Sequence, residues 1–293
     1  MMMDYISETD LILNNDGSLY HINLLANEVA DTVITVGDQD RVAEVSKHFD
    51  RIELKKGKRE FLTHTGYIGN KRITVISTGI GTDNVDIVLN ELDAIVNINL
   101  ETRQVNPQLR SLNIIRIGTS GAVQANVDVD TMLVSAGAIG LDPLMHYCEH
   151  SLTANEAELL TAFKNSLPSH YQLHPYVASA GDNLLNSIGT GLQQGITITA
   201  PGFYTPQGRQ VRCKSSTPEL LNIIENFEHK GQRITNLEME TAGIYGLAAN
   251  LGHQAISFNV ILANRIKHQF SKQPQKIMEA SIVNVLERIV NHL

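Results

Sequence analysis

Apolar residues along the chain form two alternating patterns, short continuous runs and longer stretches with helical spacing. The continuous runs are rich in β-branched residues, and most end at glycine or a small polar residue. Such runs are typical of strands that are buried on both faces of a sheet. The predicted strands cover residues 32–36, 73–77, 114–117, 132–135, 176–180, 196–199 and 255–262.

Helical spacing appears between these runs. Apolar residues from Val85 to Ile95 share one face of a helix predicted over 83–96. A capping-box pattern, Thr153-x-x-Glu156, predicts the start of another helix. Further helices are predicted over 218–227, 238–251 and 275–292, and the polar stretch 97–112 is predicted to be a surface excursion.

Strands that alternate with helices predict an α/β protein. We expect residues 1–293 to form one domain, a three-layer α/β/α sandwich with a central mixed β-sheet. The net charge of −8 argues against nucleic acid or an anionic membrane as the main partner. If the substrate is an anion, individual arginines must therefore supply the positive charge.

Two cysteines are too few for a disulfide framework or a zinc site. No apolar run approaches the roughly 20 residues that span a bilayer. Residues 1–5 lack the basic and apolar regions of a signal peptide. We therefore expect a cytoplasmic protein with no membrane partner.

Four clusters carry candidate chemistry, and the first runs from Arg116 to Ala122 directly after an apolar strand. Its glycines would let backbone N–H groups approach a ligand, and Thr119 adds a hydroxyl donor. A plain strand-to-turn junction explains the glycines equally well. It does not explain Arg116, because an arginine buried in an apolar strand needs an anionic partner, and its planar fork suits phosphate.

The second cluster, Gly37 to Arg41, lies where a predicted strand gives way to a helix. Helix N-termini favour anions, although Asp38 or Asp40 could simply cap the helix. The third cluster, residues 77–84, is similar to a dinucleotide-binding fingerprint but has Asn84 at the third glycine position. It also lacks a well-placed ribose-binding acid, which argues against a dehydrogenase and favours a tight strand–helix turn beside the site.

The fourth cluster is Glu238-Met239-Glu240, at the start of a predicted helix. The two acids could be surface charges favoured by the helix dipole. The small residues that follow, Ala242 and Gly243, instead suit close packing near the interior. Carboxylates there need hydrogen-bond donors, which the hydroxyls of a sugar would supply.

With these clusters in order, the chain resembles the nucleoside phosphorylase family, which includes uridine phosphorylase and the hexameric bacterial purine enzymes. The resemblance runs from about His21 to Arg265. It implies reversible attack of phosphate on the anomeric carbon of a nucleoside, without a redox cofactor or a catalytic metal. Inorganic phosphate would be a co-substrate, and the resemblance also allows a monovalent cation near Glu60 and Ser77.

The resemblance assigns a role to individual residues, with Arg116, Glu240, Gln207 and Arg209 central to catalysis. The phosphate-binding residues would be Gly37, Arg41, Arg59, Arg116 and Thr119. The ribose-binding residues would be His21, Glu238, Met239 and Glu240. Because His21 and Arg59 match residues that the family lends to a neighbouring active site, the resemblance implies a homo-oligomer built from dimers, with a hexamer as the larger form.

The segment from Phe203 to Arg209 resembles the base-binding segment of uridine phosphorylases, in which Phe203 would stack on the base. Gln207 can donate to and accept from a pyrimidine dione, and Arg209 can hold the carbonyl that gains charge as the base leaves. Asn264 stands where the purine enzymes have a proton-donating Asp. The resemblance therefore implies uridine, with thymidine and deoxyuridine left open.

Three alternatives remain at this point. They are a purine nucleoside phosphorylase, a hydrolytic nucleosidase of the same fold, and a non-catalytic nucleoside-binding protein. The arginines count against the nucleosidase, since it would not need to hold phosphate. The complete set of phosphate, ribose and base residues counts against a protein that only binds nucleosides.

Overall fold

A mixed sheet of twelve strands forms the centre of the molecule in the computed structural model, which describes residues 5–293. Residues 1–4, on which part of the signal-peptide expectation rests, lie outside the described residues. Strands β5 (Ile98–Asn99) and β6 (Gln104–Val105) form a separate two-stranded sheet. The strands are β1 Thr32–Val36, β2 Arg51–Lys58, β3 Phe61–Ile68, β4 Lys71–Ser77, β5 Ile98–Asn99, β6 Gln104–Val105, β7 Asn113–Ala122, β8 Met132–Gly140, β9 Tyr176–Ser179, β10 Gln193–Thr199, β11 Glu228–His229, β12 Gln232–Glu238, β13 Gln254–Asn264 and β14 Gln269–Phe270.

Helices cover both faces of this sheet, which gives the three layers that the sequence predicts. On one face, Val42 and Val45 of α1 (Gln39–Ser46) pack in the same core as Ile282 and Val285 of α7 (Pro274–His292). On the other face, residues of α2 (Thr82–Asn97) and α6 (Thr241–Asn250) share a second core. The helices are α1 Gln39–Ser46, α2 Thr82–Asn97, α3 Ala154–Ser166, α4 Asp182–Ser187, α5 Leu220–Asn226, α6 Thr241–Asn250 and α7 Pro274–His292.

The sheet order brings several strand ends together. Strands β4, β1, β7 and β13 are parallel neighbours, and β8, β10 and β12 form a second parallel group. Strand β12 also pairs with β7 in the antiparallel sense, placing Leu237 opposite Gly121. The carboxyl ends of β7 and β12 therefore meet, and a ligand site is expected where such ends converge.

The seven strands predicted from sequence are all present, and several extend beyond their predicted ends. Two local predictions are wrong. Strand β7 continues through Gly118 and Thr119 instead of turning there, because β13 pairs with it as far as Ala122. The helix expected from residue 238 begins at Thr241, and Glu238 is the last residue of the unpredicted strand β12.

The β2–β3 hairpin was also not predicted. Strand β2 carries exposed side chains alternating with half-buried ones, so it lacks the continuous apolar run of the other strands. The polar stretch 97–112 lies mostly at the surface, as predicted, and contains β5 and β6. Between residues 5 and 293, no helix is both long and apolar enough to cross a membrane.

Candidate active site

A cleft of about 750 Å³ opens where the ends of β1, β7 and β12 converge. Its volume falls within the range that is usual for small-molecule sites. Residues from all four chemical clusters of the sequence line it, together with the predicted base-binding segment. The lining includes Gly37, Arg41, Gly79, Arg116, Thr119, Phe203, Gln207, Arg209, Glu238, Met239 and Glu240.

Arg116 lies on β7 at the floor of this cleft and is only 7% exposed. Its Nη2 donates to Glu240 Oε2 at 2.6 Å and lies 3.1 Å from Glu238 Oε2. Its Nη1 donates to Asn259 Oδ1 at 3.0 Å. Burial alone would lower the pKa of Arg116, but the two carboxylates outweigh it and raise that pKa. The anionic partner that the sequence predicts for Arg116 is thus supplied partly by the protein itself, through Glu238 and Glu240.

Gly118 makes the position of Arg116 possible. A Cβ atom at residue 118 would lie 2.1 Å from Arg116 Nη1, because the guanidinium folds back over its own strand. This glycine therefore makes room for a side chain, whereas the sequence suggested close approach of the backbone to a ligand. Thr119, the next residue, is half-buried and lines the cleft.

Glu240 connects β7 to the turn after β4. One of its carboxylate oxygens accepts the backbone N–H of Gly81 at 2.9 Å, and the other accepts from Arg116. Gly81 has a φ of 93°, a conformation that favours glycine. Residues 77–84 thus form a tight strand–helix turn beside the site, as predicted.

Glu238 is more deeply buried than Glu240, at 4% exposure. Its carboxylate accepts from Thr199 Oγ1 at 2.7 Å and from the backbone N–H groups of Glu240 and Thr241 at 3.0 and 2.9 Å. Burial raises the pKa of Glu238, the positive charge of Arg116 opposes this rise, and the charge of Glu240 adds to it.

Arg41 and the N-terminus of α1 form a second positive region of the cleft. Asp38 caps this helix by accepting the backbone N–H of Asp40 at 3.0 Å, so this part of the N-cap prediction is confirmed. The Nε of Arg41 is buried and, within residues 5–293, has no hydrogen-bond partner. Burial lowers the pKa of Arg41, and the positive charge of Arg116 lowers it further. Arg41 at this helix N-terminus and Arg116 on β7 line the same cleft, which makes the region between them suited to an anion.

Gly37 precedes this helix. A Cβ atom there would meet only the carbonyl oxygen of Gly79, at the ordinary contact distance of 3.5 Å. The packing of the protein therefore does not require glycine at residue 37, in contrast to residue 118.

The predicted base-binding residues form one cluster on the opposite wall. Arg209 Nη1 donates to Gln207 Oε1 at 2.6 Å, and its Cζ lies 3.7 Å from the centre of the Phe203 ring. Gln207 is buried in a short 3₁₀ turn, whereas Phe203 is 52% exposed. Burial, and then the charge of Arg265, lower the pKa of Arg209 to about 10.

Sequence reasoning missed two residues of this wall. Arg265 donates from Nη1 to the carbonyl oxygen of Gln207 at 2.9 Å, and Phe270 of β14 lines the cleft. Arg265 directly follows Asn264, which the sequence already places at the site, so its position next to Asn264 could have identified it. The amide of Asn264 donates to the carbonyl oxygens of Gln124 and Val127 at 2.9 and 2.7 Å.

His21 and Arg59 lie together but are not among the residues that line the cleft. The ring of His21 is 4.9 Å from the ring of Tyr20, and Arg59 Cζ is 5.8 Å from that same ring. Nδ1 of His21 is 2.6 Å from Glu91 Oε1, and Arg59 is exposed at the β2–β3 turn. The structure thus brings these two residues to one surface region.

Glu60 and Ser77, named as neighbours of a monovalent cation, are adjacent. The Ser77 hydroxyl donates to the carbonyl oxygen of Glu60 at 2.6 Å and accepts the backbone N–H of Leu62 at 2.8 Å. Both hydrogen bonds hold the turn between β2 and β3 against the end of β4, and Glu60 lines the cleft. The cation itself stays a prediction.

Comparison with known proteins gives consistent matches. The profile of the Phosphorylase superfamily matches residues 31–291. The chain is 29% identical over 268 residues to a uridine phosphorylase of Thermococcus kodakarensis, covering 92% of this chain and 84% of that protein. It is 26% identical over 240 residues to a DeoD-type purine nucleoside phosphorylase of Shewanella denitrificans, covering 80% of this chain and 82% of that protein.

A solved structure gives the same result in three dimensions. It is the crystal structure of a Trypanosoma brucei nucleoside phosphorylase that shows uridine phosphorylase activity. The TM-score is 0.87 at 29% sequence identity, and the match covers 96% of this chain and 100% of the other.

Proposed function

The chain belongs to the Phosphorylase superfamily, and from that premise we propose that it is a uridine phosphorylase. The reaction is the reversible phosphorolysis of uridine to uracil and α-ribose-1-phosphate, so the enzyme is a pentosyltransferase. One observation carries the proposal. Arg41 at a helix N-terminus and Arg116 on β7 share a single cleft with a Phe-Gln-Arg cluster suited to a uracil ring.

Phosphate binds in the region between α1 and β7. Arg41 and Arg116 supply positive charge, Thr119 a hydroxyl donor, and Gly37 an open approach to the backbone. Arg41 carries the strongest indication, since its buried Nε has no partner among the described residues. An anion that accepts from this N–H would relieve an unfavourable burial.

Ribose binds beside phosphate, with Glu240 on its hydroxyls and Met239 against the ring. An oxygen of phosphate then attacks C1′ while the bond from C1′ to N1 of uracil breaks. The electron pair of that bond passes to the uracil ring, where Gln207 and Arg209 stabilise the charge. N1 of uracil then takes up the proton that the hydrogen phosphate group loses, which gives neutral uracil. Holding both reactants in place supplies roughly 7–11 kcal/mol of barrier reduction. Inorganic phosphate is the co-substrate, and the scheme uses no cofactor.

The choice of uracil rests on hydrogen bonding at the base wall. Gln207 has its amide N–H donors and, besides the lone pair that accepts from Arg209, a second lone pair on its oxygen, which together match the edge of a pyrimidine dione. Asn264 offers no acidic proton for a purine ring, and its amide is already engaged with two backbone carbonyls. These features support uridine over inosine or adenosine.

The test is release of uracil from uridine, measured with and without phosphate, with inosine as the competing substrate. We expect phosphate-dependent release from uridine and far slower cleavage of inosine. Equal release without phosphate would identify a hydrolytic nucleosidase, and faster cleavage of inosine would identify a purine enzyme. Tight binding of uridine without turnover would identify a nucleoside-binding protein.

We further propose that two subunits complete each other's sites, with a two-fold dimer as the smallest active unit. His21 and Arg59 support this, because they share one surface region and are not among the residues of their own cleft lining. Inactive Arg59→Ala and Glu240→Ala proteins, mixed under conditions of subunit exchange, should regain activity. By symmetry a mixed dimer has one intact site and reaches about half of the wild-type rate. No recovery despite exchange would place Arg59 in its own site.

A further inference from the structure

A buried layer of hydrogen bonds lies directly behind Arg116 and Glu240, and Glu238 is at its centre. Besides Thr199 and two backbone N–H groups, the carboxylate of Glu238 accepts from Thr241 Oγ1 at 2.9 Å. It also lies 3.1 Å from Arg116 Nη2. An ionised carboxylate has about four lone-pair sites. Four protein donors therefore fill its accepting capacity, with the Arg116 guanidinium beside them as an ion pair, and leave none for a sugar hydroxyl.

These donors belong to the part of the chain that aims Glu240 at the cleft. The N–H groups of Glu240 and Thr241 stand at the start of α6, where a helix has no backbone acceptors for its first donors. Glu238 satisfies both from its position at the end of β12. Its side chain thus fixes the short turn that carries Met239 and Glu240.

Thr199 extends this support to β10. Its hydroxyl donates to Glu238 Oε1 at 2.7 Å and accepts the backbone N–H of Ala242 at 2.8 Å. Thr199 is fully buried and is not among the residues that line the cleft. One hydroxyl therefore ties the ends of β10 and β12 to the first turn of α6.

We propose that Glu238 is a positioning residue that Thr199 supports, and that it acts through Arg116 and Glu240 without contacting ribose. The proposal rests on the proposed function for its kinetic readout. It differs from direct ribose binding in a measurable way. A residue that contacts a sugar hydroxyl discriminates between sugars, whereas a positioning residue affects every substrate alike.

The first experiment compares kcat/KM for uridine and 2′-deoxyuridine in Glu238→Gln and Glu240→Ala. We expect Glu238→Gln to lower kcat on both substrates by the same factor, about 100-fold, which is typical of losing hydrogen bonds to a charged group. The ratio between the two substrates should stay within about twofold of wild type. Glu240→Ala, the contact control, should lose far more on uridine and so reduce that ratio. A reduced ratio in Glu238→Gln would overturn the proposal.

The second experiment uses Thr199, because Glu238→Gln brings an amide against backbone N–H groups and could fail to fold. Thr199→Val keeps the shape but removes the hydroxyl, and we expect about a tenfold lower kcat on both substrates. Thr199→Ser keeps the hydroxyl and should remain within about threefold of wild type. Wild-type kcat in Thr199→Val would contradict the proposal.

Calorimetric binding of inorganic phosphate separates this proposal from the proposed function. If Thr199→Val weakens phosphate binding and Thr199→Ser does not, the support that Thr199 and Glu238 provide together positions Arg116, whichever nucleoside is the substrate. If wild type binds phosphate but does not cleave uridine, the proposed function fails while the positioning role is still tested. Equal phosphate affinity in Thr199→Val and wild type would count against positioning of Arg116.

Discussion

The two halves of the cleft are built differently. The sugar–phosphate half is defined by Arg41, Arg116, Glu238 and Glu240. It lies on β7, at the end of β12 and at the N-terminus of α1, and its carboxylates are buried. The base half, defined by Phe203, Gln207 and Arg209, lies on the connection between β10 and α5. There Phe203 is more than half exposed, at 52%.

This difference indicates that substitutions in the base half could change the preferred base while the sugar–phosphate half, which carries out the reaction, stays the same. The sugar–phosphate half is cross-linked by hydrogen bonds among β7, β12, β13 and α6. The base half is attached mainly by contacts within its own loop and by Arg265. Loops tolerate change better than strand ends in such a network.

The largest expected effect on activity comes from removing Arg116, the residue at the centre of the sugar–phosphate half. Arg116→Ala should lower kcat/KM for uridine phosphorolysis by about 10³-fold, the scale for a preorganised charge-stabilising donor. It should also lower the free energy of unfolding by roughly 3–5 kcal/mol, because two buried carboxylates lose their cation. Steady-state kinetics and denaturant unfolding measure both. Unchanged stability would show that Glu238 and Glu240 do not depend on Arg116.

A smaller loss is expected from the base half, and it should be selective. Gln207→Ala removes a hydrogen-bonding edge, and kcat/KM for uridine should fall by about 10–100-fold, as for hydrogen bonds involving charge. The slow cleavage of inosine should change little, and KM for phosphate should stay at its wild-type value. If KM for phosphate rose equally, the two halves would not be separable.

A pair of glycines sharpens the comparison within the sugar–phosphate half. Gly118→Ala places a Cβ atom 2.1 Å from Arg116 Nη1, so it should destabilise the fold by about 1–3 kcal/mol and raise KM for phosphate. Gly37→Ala meets no such conflict in the protein. It should raise KM for phosphate about tenfold by hindering a backbone donor, without a change in melting temperature. Equal melting temperatures for the two variants would contradict this distinction.

The smallest expected effect is on the pH dependence of the free energy of unfolding, and it comes from His64, which lies beside the C-terminal end of α1. His64 is buried with Nδ1 2.7 Å from Ser46 Oγ, and burial, then Lys55, lower its pKa below 6.5. Below pH 6.5 the unfolded chain gains a proton that the folded chain does not, so stability should fall as pH falls from 6.5 towards the lowered pKa.

Replacing His64 with glutamine should flatten this pH dependence. Unfolding free energies measured between pH 5 and pH 7.5 would show the difference from wild type. His170→Gln, at an exposed position, serves as the control and should leave the pH dependence unchanged. A wild-type slope in His64→Gln would show that His64 is not its source.

Much of the fold could be predicted from local patterns in the sequence, namely apolar runs and helical spacing. Strands β1, β4 and β13 are recognisable from sequence because strands buried on both faces of a sheet need continuous apolar runs. Helix α2 is recognisable because its apolar residues recur at the spacing of one helix face. The hairpin β2–β3 and strand β12 gave weaker signals. Strand β12 mixes polar and apolar residues, and it is a strand because β10 and β7 pair with it.

The same division holds for the site. The sequence alone determined that Arg116 needs an anionic partner, since it interrupts an apolar strand, and it indicated the residue types of the cleft. Only the tertiary structure decided that Glu238 and Glu240 are partners of Arg116, that Gly118 makes room for its guanidinium, and that Arg265 holds Gln207. Arg116 and Glu240 are 124 positions apart in the sequence, and Arg265 and Gln207 are 58 apart. These residues meet through strand order, and that order depends on the packing of the whole chain rather than on any local pattern.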